Sequence, residues 1–255
     1  MSFIQLQDVG VVFPIYGASS RSLKQHVIHL GTGGRIGAPE GRVAVEALAN
    51  ITLEFKHGDR VGLVGHNGAG KTTLLRVLGG IYEPTQGAIK VQGRVAPVFD
   101  IGLGMDPDST GYENIRLRGL YLGMTRSEIA RRMDEIAAFT ELGPFLDMPV
   151  RTYSAGMQAR LAFSVSTSIE PDILLLDEGV GAGDAKFALR AQARVRDLIS
   201  RSGILVFASH SSGLLKSLCN KAILMERGRV IAQGDIDDVL AQHQAMSTPV
   251  PETAE

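Results

Sequence analysis

A single cysteine, Cys219, is all that 255 residues contain. That excludes an internal disulfide framework and suits a reducing compartment. No excess of either charge is present either: Lys plus Arg is 26 and Asp plus Glu is 27. A field so balanced does not draw the chain to nucleic acid or anionic lipid, and no basic stripe appears, so no nucleic acid partner is expected. No apolar run approaches the roughly 18–20 residues that span a bilayer. The opening residues, Met1-Ser2-Phe3-Ile4-Gln5-Leu6-Gln7-Asp8, lack the basic and apolar regions of a signal peptide. If the protein works at a membrane, another chain is expected to cross it.

What is there is a globular mixture long enough to bury a substantial core. β-type runs occupy Phe3–Val12, Val43–Phe55, Arg60–Val64, Ala88–Val91, Ile173–Leu176, Ile204–Ala208, Ala222–Glu226 and Val230–Gln233. Helical patterns cover Lys71–Leu78, Glu113–Leu122, Thr125–Thr140, Met157–Ile169, Lys186–Arg201 and Ser211–Leu218, with a short helix at Asp235–His243. Thr125-Arg126-Ser127-Glu128 has the form of a capping box. Strands alternating with helices predict an α/β fold with a mainly parallel sheet. An all-helical block at about 112–168 interrupts the alternation and reads as an inserted subdomain. Residues 17–42, rich in Gly and Ser, insert between two strands that a short loop would otherwise join. Their Leu23, Val27 and Leu30 would share one side of a short helix, with Arg21, Lys24 and His26 elsewhere. The domain is expected to end near residue 245, and Met246–Glu255 reads as a disordered tail.

Gly65-His66-Asn67-Gly68-Ala69-Gly70-Lys71-Thr72-Thr73 follows an apolar strand and opens a helix, the context that a phosphate-binding loop requires. Glycines let backbone N–H groups turn around a β-phosphate, helped by the positive end of the helix. Lys71 would reach the β- and γ-phosphates, and the Thr72 hydroxyl would hold Mg²⁺. Ile173-Leu174-Leu175-Leu176-Asp177-Glu178 is a buried-strand run ending in two carboxylates. Parallel sheets present their ligand sites at the carboxyl ends of strands, which would bring both beside the phosphate loop. Asp177 would position Mg²⁺ through its water shell, and Glu178 would act as the base that polarises the attacking water. His210 follows the apolar run Ile204–Ala208 and Ser209, so it is expected at a strand end facing the γ-phosphate.

Those elements fit many P-loop ATPases. Tyr153-Ser154-Ala155-Gly156-Met157-Gln158, placed 23 residues before Asp177 (177 minus 154), narrows the field. The chain resembles an ABC ATPase, whose signature segment is similar to Leu-Ser-Gly-Gly-Gln just upstream of the second acidic motif. The resemblance covers about residues 3–243. It implies a P-loop, RecA-like core, an N-terminal antiparallel β subdomain and an inserted helical subdomain. It also implies a homodimer around two ATP, in which Ser154, Ala155 and Gly156 grip the γ-phosphate held by the partner's loop. Departures from the general pattern point to a branch: Met157 and Tyr153 in the signature, and Gly181-Ala182-Gly183-Asp184 before Phe187, with Thr110-Gly111-Tyr112-Glu113-Asn114-Ile115 as a further match. These resemble the polysaccharide and polyol-phosphate exporters.

That branch implies two copies of a membrane permease, docked beside residues 100–118, through which a lipid-linked O-antigen or capsule polymer passes. The ATPase would sit peripherally on the cytoplasmic face of the inner membrane. Teichoic acid export, another ABC exporter role and a non-transport ABC ATPase are the alternative readings. Some relatives carry an added C-terminal sugar-binding domain, and this chain stops soon after the expected core. Asp100 stands near the place where such ATPases hold a Gln, and would contact Mg²⁺, a water or only solvent. The adenine would stack on Phe13 or Tyr16, with Phe13 favoured because it lies closer to the first strand.

Overall fold

The computed structural model describes residues 1–15, 36–37, 44–99, 104–177 and 185–247. The chain divides into two compact units, Met1–Ser2 with Gly93–Val206, and Phe3–Gln92 with Phe207–Glu255. The expected insertion, apart from residues 36–37, lies outside the described residues, as do Tyr16, Asp100, Glu178, the 181–184 stretch and residues 248–255.

The second unit holds the antiparallel subdomain that was expected. Strands β1 (Phe3–Pro14), β2 (Ile36–Gly37), β3 (Ala44–Lys56) and β5 (Gln86–Gln92) form a sheet in the order β2-β3-β1-β5, every pair antiparallel. Ile4, Leu6, Val9 and Val11 of β1 are buried. The step from Leu6 to Val9 breaks strict alternation because the register shifts there and Asp8 adopts a φ of 47°. Thr52 secures the shift: its hydroxyl accepts from the Asp8 amide at 3.0 Å and donates to the Asp8 carboxylate at 3.1 Å. Opposite, Gly87 has a φ of 76°, and any Cβ there would lie 2.3 Å from the Asp8 carbonyl oxygen.

In the same unit β4 (Arg60–Val64) pairs in parallel with β9 (Lys221–Glu226), and β10 (Arg229–Asp235) pairs antiparallel with β9. Helices α1 (Lys71–Leu78), α6 (Ser212–Leu218) and α7 (Ile236–Ser247) belong to it. Gly62 admits close packing under β4, since a Cβ there would meet Leu215 at 3.0 Å and Ile236 at 3.6 Å. Cys219 is buried beside them, and burial pushes its thiol up to about 12, the behaviour of an inert core residue. Helix α7 continues to Ser247, so the expected tail cannot begin at Met246.

The first unit contains the helical block. Helices α2 (Gly111–Tyr121), α3 (Arg126–Thr140) and α4 (Ala155–Ser166) are joined by 3₁₀ turns at Gly143–Asp147 and Val150–Thr152. The capping box at Thr125 is present, and a second one at Thr110 opens α2. Glu128 does double duty. It caps α3 and takes a hydrogen bond from Arg94 at 3.0 Å, and Arg94 first, then the cap, pull its carboxyl down to about 2. Arg118 is buried on α2 and donates to the Ser166 hydroxyl at the end of α4 at 2.8 and 3.1 Å; burial lowers its guanidinium to about 10. Strand β6 (Val95–Val98), which the sequence pattern does not announce, pairs in parallel with β7 (Ile173–Asp177). Pro97 is tolerated because β6 is a sheet edge. Helix α5 (Ala185–Arg201) and the start of β8 (Ile204–Ala208) complete the unit.

Candidate nucleotide site

The phosphate loop runs from the end of β4 into α1. Gly65 has a φ of 144°, and a Cβ there would lie 2.3 Å from the Met225 carbonyl oxygen on β9. No side chain fits, so the approach of β9 and the backbone conformation together dictate this glycine. Gly70, the N-cap of α1, has a φ of 108°, and a Cβ would crowd Ala47, Leu48 and Gly228 at 3.1–3.2 Å. The turn at Gly228 supports the loop from below. Its amide donates to the Ala69 carbonyl at 2.8 Å, while its own carbonyl accepts from Ala49 at 2.9 Å. Gly68, with a φ of 77°, has no atom within 4 Å of its would-be Cβ, so this part of the loop is open. His66 makes an Nδ1 contact with the Asn67 carbonyl at 2.8 Å, which shapes the crown of the loop.

Lys71 is buried, and its ammonium donates to the carbonyls of Gly65 and His66, the latter at 3.1 Å. The cation is thus held across the loop. Thr72 and Thr73 follow in the first turn, both half-buried. Gly70 supplies no side-chain cap, and the first turn of α1 contains no acidic residue. The positive end of the helix therefore has no carboxylate of its own, and a phosphate group fits this loop. Replacing Lys71 by Ala removes a charge-assisted donor worth about 1.5–3 kcal/mol, or roughly 10- to 100-fold in ATP affinity. Equilibrium binding of a fluorescent ATP analogue to the purified chain checks this; an unchanged Kd would remove Lys71 from the site.

His210 is exposed between β8 and α6, in a turn fixed by the Ser211 amide donating to the buried Ser209 hydroxyl at 3.0 Å. Sequence reasoning missed His243 on α7. Its pKa is lowered by burial first and then by Lys71, His66 and His210, which marks a shared electrostatic neighbourhood for all four. Nothing local in the sequence signals it, because α7 comes back to the loop only through the fold. Phe13 lies inside β1, paired with Val45, rather than after the strand as expected. Its ring is about a third exposed and meets Tyr82 edge-on, centroids 5.2 Å apart. Tyr82, also missed, is in turn fixed by Arg76, whose guanidinium donates to its hydroxyl at 3.2 Å.

The other unit holds the signature segment and Asp177. The signature helix starts at Ala155, two residues earlier than the sequence pattern suggests, which makes Ser154 its N-cap. The Ser154 hydroxyl accepts from the Met157 amide at 3.2 Å and is exposed. A Cβ on Gly156 would have only the Ser154 hydroxyl within 4 Å, so the helix start is accessible to a ligand. Tyr153 is buried, and its hydroxyl donates to the Phe145 carbonyl at 2.5 Å. Gly111 makes room for that ring, since a Cβ would lie 2.5 Å from the hydroxyl. The tyrosine is thus an anchor for the segment. Asp177 ends β7, half-buried after four buried apolar residues. Among the described residues no three His, Cys, Asp or Glu side chains gather into a metal cage. Mg²⁺ seldom needs one: one or two oxygen ligands plus phosphates suffice.

A family model described as ABC transporter matches residues 48–181. The chain is 49% identical over 231 residues to the O-antigen export system ATP-binding protein RfbE of Yersinia enterocolitica, covering 90% of this chain and 97% of that one. It is 34% identical over 245 residues to the O-antigen export system ATP-binding protein RfbB of Klebsiella pneumoniae, covering 96% and 98%. Identity to the teichoic acids export ATP-binding protein TagH of Lactococcus lactis is 38% over 198 residues, which is 42% of that longer chain. Among solved structures, the ATP-binding cassette MJ0796, a dimer bound to ADP and Pi, matches with a TM-score of 0.64 at 20% identity, covering 91% of this chain and 98% of that one. An ATP binding subunit of an ABC transporter matches with a TM-score of 0.66 at 22% identity, covering 96% and 95%. The likeness to these two concerns the fold.

Proposed function

The chain belongs to the ABC transporter family as an ATP-hydrolysing member of its polysaccharide-export branch, and on that premise we propose that it drives a lipid-linked O-antigen or capsule polymer through a separate membrane permease. The observation that carries this reading is the 49% identity to an O-antigen export protein along nearly the whole of both chains. Teichoic acid export has weaker support, because that relative is matched over less than half its length.

In this reading two copies enclose two ATP. The loop from Gly65 to Thr73 and the Lys71 ammonium hold the phosphates of one nucleotide, and Phe13 with Tyr82 offers an aromatic edge for the base. Ser154, Ala155 and Gly156 present the start of α4 to the γ-phosphate bound by the other copy. Mg²⁺, when bound, would neutralise phosphate charge; the Thr72 hydroxyl would hold it, and Asp177 would position it through its water shell. Glu178 takes the proton of the attacking water, and His210 contacts the γ-phosphate.

Helix α2 supports a docking role for the region around residues 100–118. Leu117, Leu120 and Tyr121, at i, i+3 and i+4, are 44%, 45% and 57% exposed and give one face an apolar stripe. No helix among the described residues is long and apolar enough to cross a membrane; in this reading the permease is a different chain, and this one binds it at the cytoplasmic face of the inner membrane. Affinity purification of the tagged chain from solubilised membranes tests the reading. It should bring down a polytopic membrane protein in equal amount; recovery with DNA or ribosomes instead would overturn it.

A further inference from the structure

Glu141 follows the last turn of α3 as its C-cap, in the left-handed conformation with a φ of 54°. A side chain other than glycine costs about 1–2 kcal/mol there, and a strained position held by a charged residue invites a search for what the charge does. Its carboxylate receives three cations. Arg190 of α5 makes a close ion pair with it, Arg160 of α4 stands 3.7 Å away, and Lys186 of α5 is at 3.8 Å. Lys186 is largely solvated and adds little. The two arginines are mostly buried, with side chains 19% and 33% exposed.

Both arginines are also held by rings. Arg160 lies over Phe187 at 5.2 Å and Arg190 over Phe139 at 4.7 Å, while Phe139, Phe163 and Phe187 pack on one another with centroids 5.7–6.2 Å apart. Arg190 further donates to the Phe139 carbonyl at 3.2 Å. Both guanidinium groups thus converge on the Glu141 carboxylate.

The helices so joined both begin at functional segments. Helix α4 starts at the signature serine, and Arg160 sits one turn in, on the side of Gly156 and Met157. A helical side chain leans toward the N-terminus, and Arg160 accordingly lines, with Glu141, the cavity of about 560 Å³ that Ser154 and Gly156 border. Helix α5 starts directly after the segment 178–184, which contains Glu178. We infer that Glu141 is a positioning residue that ties the signature helix to α5 through Arg160 and Arg190, so that the start of the signature helix is held in place for its grip on phosphate.

The inference rests on the proposed role of Ser154. It predicts a loss of turnover without a loss of nucleotide binding, because Lys71 and its loop belong to the other unit. Glu141→Gly is the informative variant, since glycine is the favoured residue at a left-handed C-cap and relieves strain while deleting the charge. Purified full-length Glu141→Gly should stay folded, melting below the wild type because the two arginines lose their carboxylate, and bind ATP with an unchanged Kd. Its kcat should fall about 10- to 100-fold, the effect of a small misplacement of reacting groups. Glu141→Asp, which keeps the charge and tolerates the conformation, should recover most of that loss. A kcat for Glu141→Gly within twofold of wild type, or a loss that Glu141→Asp shares in full, would overturn the inference. Ser154→Arg assayed alongside separates the failures: if it too turns over normally, the composite site itself is wrong and the role of Glu141 falls with it.

Discussion

Glu178→Gln will bind ATP as the wild type does and hydrolyse it about 10²- to 10⁴-fold more slowly, the usual worth of a positioned base. Strand β7 is buried from Ile173 to Leu176 and delivers Asp177 at its carboxyl end, the end at which parallel sheets hold their ligands. Glu178 is the next residue in the chain. Glutamine preserves its size and its capacity to hydrogen bond a water, but it cannot take the proton. The unreacted complex should accumulate as an ATP-bound dimer, seen as a doubling of mass by sedimentation with ATP and absent with ADP. Hydrolysis at the wild-type rate in the complex with the permease would show that another group is the base.

Ser154→Arg will abolish that dimer. The serine hydroxyl caps α4 through Met157, and losing the cap costs about 1 kcal/mol, or about 2–4 °C in melting temperature for a domain of this size. The variant should therefore fold. Two further effects act on function. Arginine brings bulk to a helix start at which Gly156 leaves open space, and it puts a positive charge against the positive end of the helix dipole. The place that the partner's γ-phosphate would occupy is filled. The variant's own phosphate loop is unaltered, so a fluorescent ATP analogue should bind with the wild-type Kd. Persistence of the ATP-dependent dimer in a Ser154→Arg, Glu178→Gln double variant would contradict the head-to-tail arrangement. Ser154→Ala, which deletes the cap without adding bulk, should retain it in part.

Much of this was legible because the signals are local. The phosphate loop announces itself by glycines at fixed spacing, and the structure gives two of them reasons: Gly65 by the approach of Met225, Gly70 by the crowding of Ala47, Leu48 and Gly228. Thr125 and Glu128 form a capping box that four residues suffice to reveal. What stayed hidden depends on contacts between distant residues. Strand β6 has only four residues, one of them Pro97, and its place comes from pairing with β7 nearly eighty positions away. Tyr82 comes to the edge of Phe13 by the return of the chain toward β5. Likewise, Glu141 collects arginines from 19 and 49 positions downstream (160 minus 141, 190 minus 141). In the sequence it is one glutamate before Leu142-Gly143-Pro144, with no periodicity to single it out. The same distance effect hid His243, which reaches the neighbourhood of Lys71 only because α7 folds back there.

If ATP turnover by this chain moves a polysaccharide across the inner membrane, surface polymer in cells whose only copy carries Glu178→Gln reports it most directly. The expected result is loss of the surface polymer, accumulation of its lipid-linked form inside the membrane, and an unchanged amount of permease. Normal surface polymer with the variant chain present at wild-type level would contradict the claim.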